Sequence, residues 1–131
     1  MNCPCGSKKI YLECCGSYLE GKDLPKTPLA LMRSRYTAYV QENFDYIEST
    51  MRGEALLFFN RKDAEKASKG TKWLGLEILE HSEKMVRFIA TFEFDGERHE
   101  MEEKSLFEKY EGKWFYTNKV PIAVSYTHLT L

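Results

Sequence analysis

MVRFIATFEF, residues 85–94, decides the fold. Val86, Phe88, Ala90, Phe92 and Phe94 alternate with Arg87, Thr91 and Glu93. An alternation of period two is a strand with one buried face. Asp95-Gly96 follows at once, and Asp-Gly supplies the positive φ angles that a two-residue hairpin turn needs. The return strand is therefore expected over about residues 97–110. Glu111-Gly112 offers a second turn, leading into Lys113–Asn118, where Trp114 and Tyr116 share a face. Upstream, Trp73–Glu80 reads as a strand with His81–Lys84 as its turn. Short connections make successive strands neighbours, so the pattern predicts four antiparallel strands in a meander.

Ahead of the sheet the period changes to three and four. Thr27 is a good N-cap and Pro28 loses no needed hydrogen bond at the first helical position. Leu29, Met32, Tyr36, Tyr39 and Val40 then form one apolar stripe of a helix over about residues 28–41. Asn43 can cap a second helix through Phe44, Ile47 and Met51, which Gly53 interrupts. A third is expected over about 54–68, with Leu56, Phe59 and Ala67 inward and Gly70 at its end. The expected fold class is α+β, with three helices packed on a curved antiparallel four-stranded sheet.

The remaining signal is chemical. All four cysteines fall in CPCGSKKIYLECCG, residues 3–16, as Cys3, Cys5, Cys14 and Cys15. Two close pairs with a turn between them suit a tetrahedral thiolate zinc site. The alternative is a pair of disulfides. Residues 1–15 lack the apolar stretch of a signal peptide, and a bridge between the neighbours Cys14 and Cys15 would be strained. Clustered cysteines in a reduced, cytoplasmic chain read as metal ligands. The segment also needs help to fold. Its large apolar side chains are Ile10, Tyr11, Leu12, Tyr18 and Leu24, a small core for the entropy of ordering residues 1–26. Zinc bound to thiolates would add on the order of 10 kcal/mol. Gly6 suits the bend around a metal. Ser17, Gly21, Pro25 and their charged neighbours read as a linker, which would leave the zinc module and the sheet domain folding independently.

Two resemblances extend this reading. Cys3-Pro4-Cys5-Gly6-Ser7, the basic Lys8-Lys9, Tyr11 and Cys14-Cys15-Gly16 closely resemble the SEC-C motif, a zinc module first seen at the C-terminus of a preprotein translocase. The resemblance implies that the four cysteines are the zinc ligands. It also implies a contact surface for partner proteins or the ribosome, with Lys8, Lys9 and Tyr11 as candidate contact residues. LMRSRYTAYV (residues 31–40), Trp73-Leu74-Gly75, Glu103, Ser105, Phe107, Trp114 and Tyr116 resemble the bacterial YchJ-like family. That family's middle domain has the cone-like fold of nuclear transport factor two and scytalone dehydratase, which often leaves a pocket. The implied organisation is a SEC-C-like zinc motif at 1–20, a linker at 21–27, a cone-like α+β domain at 28–122 and a tail at 123–131. Many relatives carry a second SEC-C motif, which this chain lacks. After Pro121 the chain reads IAVSYTHLTL, without a charge or an amphipathic period, and is expected to be non-native, so that His128 carries no meaning.

Bulk properties narrow the function. A hydrophobic content of 43% supports a core, and no apolar run of about 18 residues offers a membrane span. The net charge of −1 argues against a nonspecific nucleic-acid binder. Residues 1–26 carry +1, which a zinc tetrathiolate would turn to −1. In the sheet domain Arg35, Trp73, His99, Glu103, Phe107 and Trp114 are the candidate pocket residues. Arg35 and Glu103 are expected to approach each other, as a structural pair or as an anchor for a small anion, because a buried charge needs a partner. His99 on the same strand face could serve acid–base chemistry, although histidines at such positions are mostly solvated or packed. No phosphate loop, nucleophile elbow or metalloprotease motif is present. The sequence thus favours a zinc-binding accessory protein over an enzyme, with a partner unidentified and a homodimer through the outer sheet face as a further expectation.

Overall fold

In the computed structural model, which describes residues 1–120, both turn dipeptides take the left-handed backbone of a tight hairpin. Asp95 and Gly96 have φ of 54° and 77°, and Glu111 and Gly112 have φ of 49° and 80°. These turns join β2 (Met85–Phe94), β3 (Glu97–Tyr110) and β4 (Lys113–Val120), and β1 (Thr71–His81) precedes them. The sheet order is β1-β2-β3-β4, antiparallel throughout. This is the expected meander. Register shifts between Trp73 and Gly75, between Ile78 and Glu80 and between Leu106 and Phe107 mark irregularities in the ladders.

One sheet face is the core face. Val86, Phe88, Ala90 and Phe92 of β2 are buried completely, and Met101, Glu103, Ser105 and Phe107 of β3 continue that surface. The opposite face carries polar pairs such as Arg87–Glu102 at 2.7 Å. Against the core face lies α2 (Pro28–Val40), which begins where the Thr27 side chain accepts a hydrogen bond from the Ala30 N–H at 3.1 Å. Tyr36 and Tyr39 both pack their rings against Trp73, with centroids 5.7 and 5.9 Å away.

The helix count is corrected. Five α-helices stand among the described residues rather than three: α1 (Cys15–Leu19), α2, α3 (Phe44–Ser49), α4 (Gly53–Leu57) and α5 (Arg61–Lys69). The expected third helix is split because Asn60 caps a new one, its side chain accepting from the Asp63 N–H at 3.0 Å. Leu56 is accordingly 41% exposed rather than inward, while Phe59 and Ala67 are half-buried. The second helix starts at Asn43 as expected. After it the chain runs onto the sheet edge: the Arg52 N–H donates to the Tyr116 carbonyl and the Tyr116 N–H to the Thr50 carbonyl. This strap holds α3 and α4 against β4.

The N-terminal segment also packs on the domain. Cys3, Cys5 and Cys15 belong to the same buried cluster as Leu31, Met32 and Tyr36 of α2. Helix α2 is consequently buried nearly all round, including Ser34, Thr37 and Ala38 away from the predicted stripe. The knuckle is therefore not held off by its linker. The linker itself is tied down where the Trp114 indole N–H donates to the Lys26 carbonyl at 3.2 Å. The expectations for residues 121–131, the tail and His128 among them, lie outside the described residues.

Candidate metal centre

The first fifteen residues build a small cage. Asn2 bridges to Ile10, and the Cys3 N–H donates to the Lys9 carbonyl at 2.8 Å, closing a short loop. Two left-handed residues turn it, Gly6 (φ 81°) and Lys8 (φ 68°). Gly6 also passes close to the sheet, where an added Cβ would lie 3.3 Å from the Leu76 carbonyl oxygen. A single turn of 3₁₀-helix at Tyr11–Glu13 then returns the chain, and α1 starts at Cys15. Gly16 is needed there, because a Cβ would come within 2.8 Å of the Tyr11 carbonyl oxygen.

These turns bring the Sγ atoms of Cys3, Cys5, Cys14 and Cys15 within 4.8 Å of one another. The Cys5 and Cys14 sulfurs are 3.6 Å apart. Zinc–sulfur bonds of about 2.3 Å in a tetrahedron require sulfurs about 3.8 Å apart, so the donor set has the spacing of a thiolate metal site. Cys3, Cys5 and Cys15 are buried and Cys14 is half-buried. The thiols compete for protons: the hydrogen bond with Cys15 holds Cys5 down to about 4. The same bond, with burial added, pushes Cys15 up, and burial pushes Cys14 up. A divalent cation resolves such competition by taking every ligand as thiolate.

Around the sulfurs stand polar neighbours that sequence reasoning did not assign. Ser7 Oγ lies 3.2 Å from Cys14 Sγ. Thr37 Oγ1 lies 3.8 Å from Cys3 Sγ, and Arg33 Nη1 donates to the Cys5 carbonyl at 2.7 Å. Arg33 and Thr37 are one turn apart on α2; that spacing within an otherwise packed helix was the available signal. Of the candidate contact residues, Lys8 and Lys9 are exposed. Tyr11 is half-buried, and its hydroxyl accepts from Gln41 Nε2 at 2.9 Å.

The candidate pocket residues do not converge on one cavity. Arg35 and Glu103 are buried, at 1% and 4% exposure. Arg35 Nη1 donates to the Ile47 carbonyl at 2.8 Å and to Thr50 Oγ1 at 2.6 Å. Glu103 accepts from Ser105 at 2.5 Å and from the Tyr116 hydroxyl at 3.1 Å. The two charges flank one ring, since the Arg35 guanidinium sits 4.8 Å from the Tyr116 centroid. Burial pulls the Arg35 pKa down, and Tyr39, Tyr116 and Glu103 oppose it. Phe107 packs against Tyr116 inside this core, with ring centroids 5.9 Å apart and the planes tilted by 52°. His99 packs on Phe92, with centroids 5.4 Å apart, and Trp114 binds the linker. Trp73 alone of the six lines a cleft of about 380 Å³ between α4, α5 and the sheet edge, beside Tyr39, Met51, Phe59, Asp63 and Tyr116. Its indole Nε1 is buried without a hydrogen-bond partner among the described residues.

Comparison with known proteins places this architecture. Residues 27–119 match the model of the YchJ middle NTF2-like domain. A UPF0225 protein of Serratia proteamaculans is 39% identical over 122 residues, covering 87% of this chain and 79% of the relative. One from Haemophilus influenzae is 37% identical over 124 residues, covering 89% and 76%. A SEC-C motif containing protein from Rhodopseudomonas palustris, solved in solution, superposes with a TM-score of 0.83 at 35% identity, covering 93% of this chain and 99% of that one. The crystal structure of a SEC-C motif containing protein from Psychrobacter arcticus gives 0.73 at 25% identity, covering 95% and 85%. The extent and identity of these matches, with the cysteine cage ahead of the sheet domain, establish that the chain belongs to the YchJ-like (UPF0225) family of SEC-C motif proteins.

Proposed function

We propose that the chain is a zinc-binding accessory protein, with Cys3, Cys5, Cys14 and Cys15 as ligands in a knuckle over residues 1–20. Residues 21–27 link it to a cone-like domain at 28–122. The observation that carries this reading is four sulfurs within 4.8 Å of one another, at the spacing of a tetrathiolate site. Zinc fits better than harder cations because every donor is a thiolate. The tightly closed ligand set suits a structural metal, not a catalytic one with an open position. The knuckle then serves as a contact module for a protein or ribosomal partner. Ile10 and Leu12 are 52% and 58% exposed in the loop that also carries the exposed Lys8 and Lys9, and apolar side chains open to solvent suit contact with a partner. Protein purified under reducing conditions is expected to carry about one zinc per chain by elemental analysis. Metal-free protein with mapped disulfides would overturn the reading.

A second reading gives the cone domain a small ligand. The cleft at Trp73, Tyr39 and Tyr116 supports it, being of ligand size with aromatic walls. Phe58, 78% exposed, stands on its rim. A fragment screen read by indole NMR signals should then shift Trp73 and leave Trp114 unmoved. Fragments that move neither indole, or both equally, would count against it.

A further inference from the structure

We infer that α2 supplies the outer shell of the metal centre, with Arg33 and Thr37 as positioning residues and Arg33 as the charge that offsets the metal–thiolate cluster. The inference rests on the zinc reading above. A zinc ion with four thiolates carries a net charge of −2, and three of these four cysteines are buried. Burying net charge is costly unless an opposite charge or hydrogen bonds meet it. Arg33 meets it at two atoms of one ligand residue. Its Nη1 donates to the Cys5 carbonyl at 2.7 Å and lies 3.8 Å from Cys5 Sγ. The first bond fixes the backbone that aims the sulfur; the second brings positive charge to the sulfur itself. One turn along α2, Thr37 is fully buried with its hydroxyl 3.8 Å from Cys3 Sγ. A hydroxyl donating to a thiolate stabilises the charged form. These contacts reach Cys3 and Cys5, the first pair of the motif, and Thr37 also bonds Cys15, while Ser7 within the knuckle serves Cys14 and Cys5. Ligand orientation is therefore shared: the knuckle's own loop and a helix of the neighbouring domain each reach ligands of both pairs.

Outer-shell partners of this kind typically change metal affinity by about 10–100-fold when lost. The test is zinc affinity by competition with a chromogenic chelator, using full-length wild type and variants whose folding is verified by circular dichroism. Arg33→Gln, which keeps a donor without the charge, is expected to bind zinc about 10–100-fold more weakly. Arg33→Lys should recover most of that loss, and raised salt should narrow the gap between Lys and Gln. Thr37→Val removes a hydroxyl at constant shape and should weaken binding in the same direction. Zinc affinity in Arg33→Gln within twofold of wild type would overturn the inference, as would Arg33→Lys no better than Arg33→Gln. A wild-type chain that takes up no zinc would overturn the zinc reading together with it. A wild type that binds zinc while the Arg33 variants match it would overturn this inference alone.

Discussion

Arg35 shows how one buried residue sets the terms for its surroundings. The guanidinium is 1% exposed, and it is met by the Ile47 carbonyl, the Thr50 hydroxyl and the face of Tyr116. Tyr116 in turn donates to Glu103, which also takes the Ser105 hydroxyl. Each polar atom here depends on another, so deletions should be costly and non-additive. Arg35→Ala and Glu103→Ala are each expected to destabilise the domain by roughly 3–5 kcal/mol in urea denaturation, because each leaves charge uncompensated in the core. The double variant should cost clearly less than the sum. Strictly additive losses would mean that the two charges are not coupled. The need for a partner was legible from Arg35 beside the apolar stripe and from Glu103 on the inward face of its strand. Tyr116 as the shared group was not, because cross-strand pairing with Phe107 and the strap at Thr50 fix its place.

At the scale of elements, legibility tracked how locally each signal is encoded. The strands follow from a period of two and from two turn dipeptides, and the structure keeps each of them. Helix ends followed from Thr27, Asn43 and Gly70, which all act as caps. The split between α4 and α5 was missed because Leu56, Phe59 and Ala67 fit one helical stripe on paper. Asn60 can serve equally as a mid-helix residue or as a cap, and only tertiary packing selects the cap. Asn60→Ala should test that choice. It removes the bond to the Asp63 N–H and should cost about 1 kcal/mol, read as a lower urea midpoint at unchanged slope. A change below a few tenths of a kcal/mol would mean that packing of Phe59 and Ala64, not the cap, sets where α5 begins. The burial of α2 on all sides was likewise illegible. Its second covered face is made by the knuckle, and nothing in the spacing of the cysteines announces which helix they will rest on.

For the whole molecule the consequence is thermodynamic. The sequence alone suggested two units joined by a linker, and such units would melt separately. Instead Cys3, Cys5 and Cys15 share a buried cluster with Leu31, Met32 and Tyr36, and Gln41 reaches back to Tyr11. A metal that holds the knuckle therefore also holds a cover on α2, and anything that binds only the folded state raises its stability. Removing the metal, or changing Cys14→Ser, should lower the melting temperature of the sheet domain as well as unfold residues 1–26. The shift should follow about 4–8 °C for each kcal/mol lost in a domain of this size. Near-ultraviolet circular dichroism suits the measurement, because the Trp73–Phe92 contact lies within the sheet domain's core. Acid should act in the same direction as a chelator: thiolate ligands gain protons as pH falls, metal is released, and the stability linked to it disappears. A core melt that stays unchanged after complete metal removal would restore the picture of two independent units. It would also mean that the contacts of Cys3, Cys5 and Cys15 with α2 are adjacency without energetic consequence.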